Sequence, residues 1–174
     1  HGLRAVVSGS CSAATQRQVA SFVGSNLPAF RVDPSRIAAG VDVAAEALQW
    51  ATPLLADSTV LVYSTAEPAD VTDIQQRLGV RQAGDMIEGV LATITRRLVE
   101  RGVRQLVIAG GETAGACVQA LGVAQLQIGS QIDPGVPWCH ALTDVGGSAA
   151  IHLALKSGNF GSDDFFTRSF ALLR

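Results

Sequence analysis

Along this chain, short apolar runs rich in β-branched residues end in glycine and small hydroxyl residues, then give way to helical patterns. The sharpest case is RQLVIAGGETAGACVQALG, Arg104 to Gly122. Leu106 to Ala109 reads as a buried strand. Gly110 and Gly111 end it. Glu112, Thr113, Ala114, Gly115 and Ala116 then lead into a helical pattern from Cys117 that stops at Gly122. Leu3 to Val7 runs in the same way through Ser8–Ser12 into a helix over Ala13–Val23. Such alternation predicts an α/β fold, a mostly parallel sheet flanked by helices. Ligands of these sheets gather at the carboxyl ends of the strands. The loops Ser8–Ser12, Ser64–Glu67 and Gly110–Thr113 all follow expected strands, and they converge if those strands are neighbours.

The other expected elements follow from the same signals. Phe30–Val32 and Thr59–Tyr63 read as strands, and Asp33-Pro34-Ser35 as a helix cap with proline in the first turn. Val41–Leu55, Val71–Leu78 and Gly84–Arg101 read as helices, the last ended by Gly102. Past Gly122 the pattern changes. Leu126–Gly129 and Ala150–Leu155 read as strands without helices between them, so antiparallel edges are expected near the C-terminal end. Ile132–Trp138 reads as a turn-rich break, and Asp163–Leu173 as a closing helix.

Bulk properties narrow the function. The 174 residues fit one domain, and 48% hydrophobic against 16% charged residues marks a globular chain. A net charge of −2 excludes nucleic-acid binding through a broadly basic surface. It leaves room for a small anion, which needs only a local positive field. Cys11, Cys117 and Cys139 form no CxxC pair, so neither a disulfide framework nor a zinc site is expected, and a reducing cytoplasm is the expected home. No stretch reaches membrane-spanning length without polar breaks, and no signal peptide is read.

The candidate chemistry sits at the strand–helix junctions. A helix N-terminus offers free amides and a positive dipole end, which suit phosphate. GGETAGA matches neither the dinucleotide fingerprint nor the P-loop, so a plain tight turn stands beside phosphate binding as a reading. Ser12 reads as an N-cap with Gln16 completing the interaction, and Ser10 and Ser12 can equally donate to a phosphate. Cys11 reads as a packed thiol, since no histidine is near it in sequence. Glu112 reads either as an acid favourable at a helix start or as a group that orients Mg²⁺ or holds a ribose hydroxyl. Lys156, the only lysine, stands at a strand end before Ser157 and Gly158, where an ammonium can reach a phosphate; a structural role is the alternative. His140 and His152 are poor candidates for a base, Asp133 reads as a turn residue, and Trp138 as a core or interface residue, with stacking on adenine the alternative. No catalytic residue is assigned.

Several of these segments together resemble one family. AGGETAGACVQALG, PGVPW and LALKSGNFGSDDFF are similar to the C-terminal nucleotide-binding domain of the four-carbon acid sugar kinases, which include 3-oxo-tetronate, threonate and erythronate kinases. SGSCSAAT resembles the start of that domain, so the resemblance runs from about Ala5 to Phe166. It implies ATP-dependent, Mg²⁺-assisted phosphorylation of a hydroxyl of a small sugar acid. It implies that residues 1–174 are one nucleotide-binding domain, with the acid-sugar site mostly on an N-terminal domain outside this chain. Carried over by motif, Ser10 and Ser12 face the nucleotide, Gly110 to Gly115 wrap its phosphates and Gly158 lies against it. Ala114 departs from the serine common in the family. Two rivals remain: a non-catalytic nucleotide- or phosphate-binding module, and a dinucleotide-dependent oxidoreductase domain. The sugar acid, its stereochemistry and the number of subunits, homo-oligomer included, stay open.

Overall fold

The computed structural model describes residues 2–64, 72, 75–76 and 79–173. The expected loop at 65–67 lies outside the described residues, as does most of the expected helix 71–78. The described elements are β1 (Leu3–Ser8), α1 (Ala13–Gly24), β2 (Ala29–Arg31), α2 (Pro34–Ala38), α3 (Val43–Ala51), β3 (Val60–Tyr63) and α4 (Val80–Glu100). There follow β4 (Val103–Ala109), α5 (Gly111–Ala120), β5 (Gln127–Asp133), β6 (Val136–Thr143), β7 (Ala149–Lys156), α6 (Phe165–Arg168) and a 3₁₀ turn at Ser169–Leu172.

The strands form one sheet in the order β2-β3-β1-β4-β7-β6-β5. The first five in that order run parallel; β6 is antiparallel to both β7 and β5. The expected mixed α/β sheet is therefore what forms. Leu106 to Ala109 in β4 are fully buried, as a central parallel strand with both faces covered must be. One face packs on α3, α4 and α5 through Ala47, Leu48, Leu91, Leu98 and Cys117. The other packs on α1, α6 and the 3₁₀ turn through Val19, Phe22, Phe165, Phe166 and Phe170.

Local capping sets the helix starts. Asp33 caps α2 by accepting from Ser35 N, and Asp42 caps α3 by accepting from Ala45 N at 3.0 Å. α3 is shorter than the expected 41–55, because Asp42 starts it and turns replace its last residues. Two expectations for the C-terminal half are corrected. The stretch Ile132–Trp138 does not break the sheet: Pro134-Gly135 is a two-residue turn between β5 and β6, with Gly135 at φ +79°. Register shifts in β5 beside Pro137 accommodate the proline, and β5 is an edge strand. The closing helix is only Phe165–Arg168 followed by the 3₁₀ turn.

Candidate functional site

β1 and β4 lie side by side, yet the helices that follow them leave on opposite faces, α1 on one and α5 on the other. Loops that part in this way open a crevice at the carboxyl ends of the strands. The backbone fixes its rim: Gly9 N donates to Ala109 O at 3.0 Å and Gly110 N to Lys156 O at 2.9 Å. Close approach explains the small residues. A Cβ on Gly9 would lie 2.1 Å from Thr113 Oγ1, and one on Gly158 would lie 2.5 Å from Ser10 Oγ. Gly110, at φ +114°, would put a Cβ 3.2 Å from Ser10 N. Ser10, Gly110, Thr113 and Gly158, drawn from three separate segments, thus meet at one rim.

The two helix starts at this rim differ. α5 begins at Gly111, not after the expected small-residue segment, so Glu112, Thr113, Ala114 and Gly115 belong to its first turns. Its N-cap is Gly110, which has no side chain to cap it. Its first backbone bond runs from Ala114 N to Gly110 O at 2.8 Å, so the amides of Gly111, Glu112 and Thr113 precede the intrahelical ladder. Beside them, no described residue beyond the glycine's own neighbours and helix backbone lies within 4 Å of where a Cβ on Gly111 or Gly115 would be. α1 is closed by contrast. Ser12 accepts from Thr15 N at 3.2 Å, as the expected cap, and donates to Gly158 O at 2.6 Å. Ser10 Oγ sits 3.2 Å from both Ser12 N and Ser12 Oγ. Gln16 does not complete the cap; its Nε2 donates to Cys11 O at 3.1 Å.

Lys156 is buried, and its ammonium points into the protein. Nζ donates to Thr15 Oγ1 at 3.0 Å, Ser157 O at 3.1 Å and Gly158 O at 3.0 Å. Burial pushes it down to about 8 from the ordinary lysine value. All three N–H groups of the charged form are engaged with protein oxygen, which fixes Ser157 and Gly158 against α1.

On the α5 side of the rim a cleft of about 740 Å³ runs between α4 and α5, lined by Gly84, Asp85, Glu88, Glu112, Gly115 and Gln119 among others. Glu88 is raised to about 7, first by burial and then by its hydrogen bond and charge contact with Glu112. Adjacent like charges resist joint ionisation, so the neighbouring Glu112 adds to the upward push of burial on Glu88. Among the described residues, no group of three or more His, Cys, Asp or Glu side chains could hold a metal ion.

A family described as the nucleotide-binding C-terminal domain matches residues 5–166. The chain belongs to this family. It is 49% identical over 168 residues to a 3-oxo-tetronate kinase of Pseudomonas savastanoi pv. phaseolicola, covering 97% of this chain and 38% of that protein. It is 49% identical over 172 residues to a 3-oxo-tetronate kinase of Burkholderia multivorans, covering 99% of this chain and 39% of the relative. The crystal structure of a Haemophilus influenzae protein matches with a TM-score of 0.89 and 38% identity, over 100% of this chain and 41% of that one. The chain therefore spans about 40% of the length of the curated relatives it matches.

In this nucleotide-binding C-terminal domain, the residues that hold the loop after β7 are ones the sequence reading passed over. Gln18 Nε2 donates to the carbonyls of Phe160, Gly161 and Ser162, each at 3.0 Å. Its Oε1 is buried with no hydrogen-bond partner among the described residues. Thr15 Oγ1 lies 2.9 Å from Gly158 O. Asp133 is more than a turn residue: it accepts from Ser162 N at 2.9 Å and pairs with Arg168. Hydrogen bonds from Ser162 and Arg168 outweigh its burial and hold its carboxyl below the ordinary value. A signal for Thr15 and Gln18 was present in the sequence. Both fall on the stripe of α1 shared by Ala14, Val19 and Phe22, and a polar residue on a buried stripe needs a polar partner.

Other expectations are settled by position. Trp138 is core, its Nε1 donating to Ser169 O at 3.0 Å. His152 packs edge-on to His140, ring centroids 4.6 Å apart, on a part of the sheet away from the rim. Cys11 is exposed rather than packed, and all three cysteines are free. No described helix is long and apolar enough to cross a membrane.

Proposed function

We propose that this domain holds the ATP of a kinase acting on a four-carbon sugar acid of the 3-oxo-tetronate class, and that residues 1–174 form the nucleotide half of a two-domain enzyme. The supporting observation is the uncapped start of α5 at the switch point between β1 and β4, in a chain whose curated relatives are named 3-oxo-tetronate kinases. The amides of Gly111, Glu112 and Thr113 lie at the positive end of the α5 dipole and suit phosphate oxygens. Ser10 and Gly158 face them across the rim. Ser12, Lys156 and Ser157 act one step back in this reading, by holding Gly158 in place. The Ala114 amide is engaged with Gly110 O at 2.8 Å, so Ala114 takes no direct part in the phosphate site in this reading.

Phosphoryl transfer demands positioning and charge stabilisation more than covalent catalysis by the protein. Mg²⁺ bound with the nucleotide supplies countercharge to the phosphate oxygens. Glu112 is the carboxylate placed to orient it or its waters; a site built mainly from phosphate and water is ordinary for this ion. The sugar acid and the base that accepts its proton belong to the other domain, so the isolated chain binds ATP and turns it over weakly or not at all. Three free cysteines fit work in a reducing cytoplasm.

Calorimetric titration with ATP–Mg²⁺ tests the reading, and saturable binding is expected. No heat and no thermal shift at millimolar nucleotide would sink it. Binding of NADH in preference to ATP would favour an oxidoreductase domain instead. ATP binding without turnover, even after the domain is joined to the N-terminal half of a relative, would leave a non-catalytic module.

A further inference from the structure

Phe160 stands apart among the exposed apolar side chains. Phe30, Trp50 and Tyr63 are half-buried, whereas Phe160, with 46% of its surface exposed, is the aromatic one among the exposed large hydrophobics of the described residues. Single exposed apolar residues need no explanation as a rule, so the case rests on how this ring is held. It lies on the β5–β6 turn. A Cβ on Gly135 would fall 2.7 Å from Phe160 Cε1 and 3.0 Å from Cδ1, so one side of the ring rests on bare backbone. The turn beneath has Gly135 at φ +79°, a conformation that itself favours glycine.

The backbone carrying the ring is fixed from both sides. Phe160 N donates to Ser157 O at 3.1 Å, and Phe160 O accepts from Gln18 Nε2 at 3.0 Å. Lys156 holds Ser157 and Gly158, and Asp133, at the end of β5, holds Ser162. Every anchor of this loop thus keeps a half-exposed aromatic ring in one place, two residues from the glycine that faces Ser10. Two residues span at most about 7 Å. A rigid ring with one side backed and the other open, just beyond a phosphate rim, is the arrangement by which aromatic side chains stack on nucleobases.

We propose that Phe160 is the stacking platform for the base of the bound nucleotide. The inference rests on the nucleotide reading above and adds to it the direction in which the nucleoside leaves the α5 amides: toward the β5–β6 turn, away from the cleft between α4 and α5. The turn PGVPW then has a function of its own. It supplies a support with no side chain under the ring.

Calorimetry with two probes tests this, ATP–Mg²⁺ and inorganic tripolyphosphate with Mg²⁺, on the wild type, Phe160→Ala and Phe160→Trp. Alanine is expected to weaken ATP binding by about five- to a hundredfold, the range for loss of one base–aromatic stack. Tripolyphosphate affinity should stay unchanged, and tryptophan should restore ATP affinity. Wild-type ATP affinity in Phe160→Ala overturns the proposal and sends the base elsewhere, the α4–α5 cleft included. Equal losses for both probes also overturn it, since the ring would then merely support the loop. A wild type that binds tripolyphosphate and ATP equally well refutes base stacking while sparing the phosphate rim. A wild type that binds neither removes the nucleotide reading, and this inference with it.

Discussion

Replacing Lys156 by methionine keeps a long apolar stem in the buried slot and deletes only the ammonium. Three hydrogen bonds go with it, to Thr15 Oγ1, Ser157 O and Gly158 O. Bonds to a charged donor contribute about 1.5–3 kcal/mol each, but the ammonium is also costly to bury, which offsets a large part of the sum. Gly158 O keeps Ser12 Oγ at 2.6 Å and Thr15 Oγ1 at 2.9 Å, so its loss is partial. A net destabilisation of about 1–3 kcal/mol is expected. At roughly 2–4 °C per kcal/mol for a domain of this size, Tm falls by about 2–12 °C. Lys156→Ala removes three further methylenes, about 0.8 kcal/mol each, and should fall lower. ATP–Mg²⁺ affinity should weaken several-fold in the methionine variant, because Gly158 is less firmly held against Ser10. The pH dependence gives an independent reading. The folded-state value is lowered to about 8 from 10.5, so between these values the unfolded chain binds more protons than the folded one. Stability gains a rising contribution with pH across that window, and Lys156→Met removes it. Thermal melts from pH 7 to 10.5 with parallel calorimetry check all of this. An unchanged Tm with unchanged affinity refutes the reasoning. So does an unchanged Tm with affinity lost a thousandfold, which would make Lys156 a direct phosphate ligand.

Three further outcomes are expected. Gly9→Ala forces a Cβ to within 2.1 Å of the buried Thr113 Oγ1, and should cost about 1–3 kcal/mol and weaken ATP binding by displacing the first turn of α5; denaturant melts and calorimetry would show it. Gln18→Leu leaves the carbonyls of Phe160, Gly161 and Ser162 without their shared donor, so hydrogen exchange at 158–162 should accelerate while α4 and β4 stay protected. Glu88 is raised to about 7 in the fold, from 4.5, so the folded chain binds the extra proton between those values. Its contribution to stability therefore falls as pH rises from 4.5 through 7, and Glu88→Gln should flatten that part of the profile; an unaltered slope would refute the upward displacement of Glu88.

The candidate site was legible where its chemistry is carried by backbone. Gly9, Gly110 and Gly158 are small because other groups come close to them, and that requirement is written as residue type. The β5–β6 hairpin was not legible, since prolines and glycine in Ile132–Trp138 signal a turn without saying that strands continue on both sides. Nor could the length of α5 be read. Its first turn is rich in glycine, which disfavours a helix locally, and packing against α4 overrides that preference.

By itself the sequence determined the alternation of strand and helix, and with it a mostly parallel sheet whose glycine-softened junctions share one end. It determined the family too, because those junctions are motifs of contiguous residues. Only the tertiary structure decided which helix start stays open and which is closed, and that Lys156 turns inward to hold a loop. Those outcomes depend on partners more than a hundred residues apart in the chain: Ser12 and Gly158, Lys156 and Thr15, Gln18 and Phe160. Local pattern fixes the direction of a strand and the period of a helix. Which donor meets which acceptor is set by the order of strands in the sheet, and long-range packing alone establishes that order.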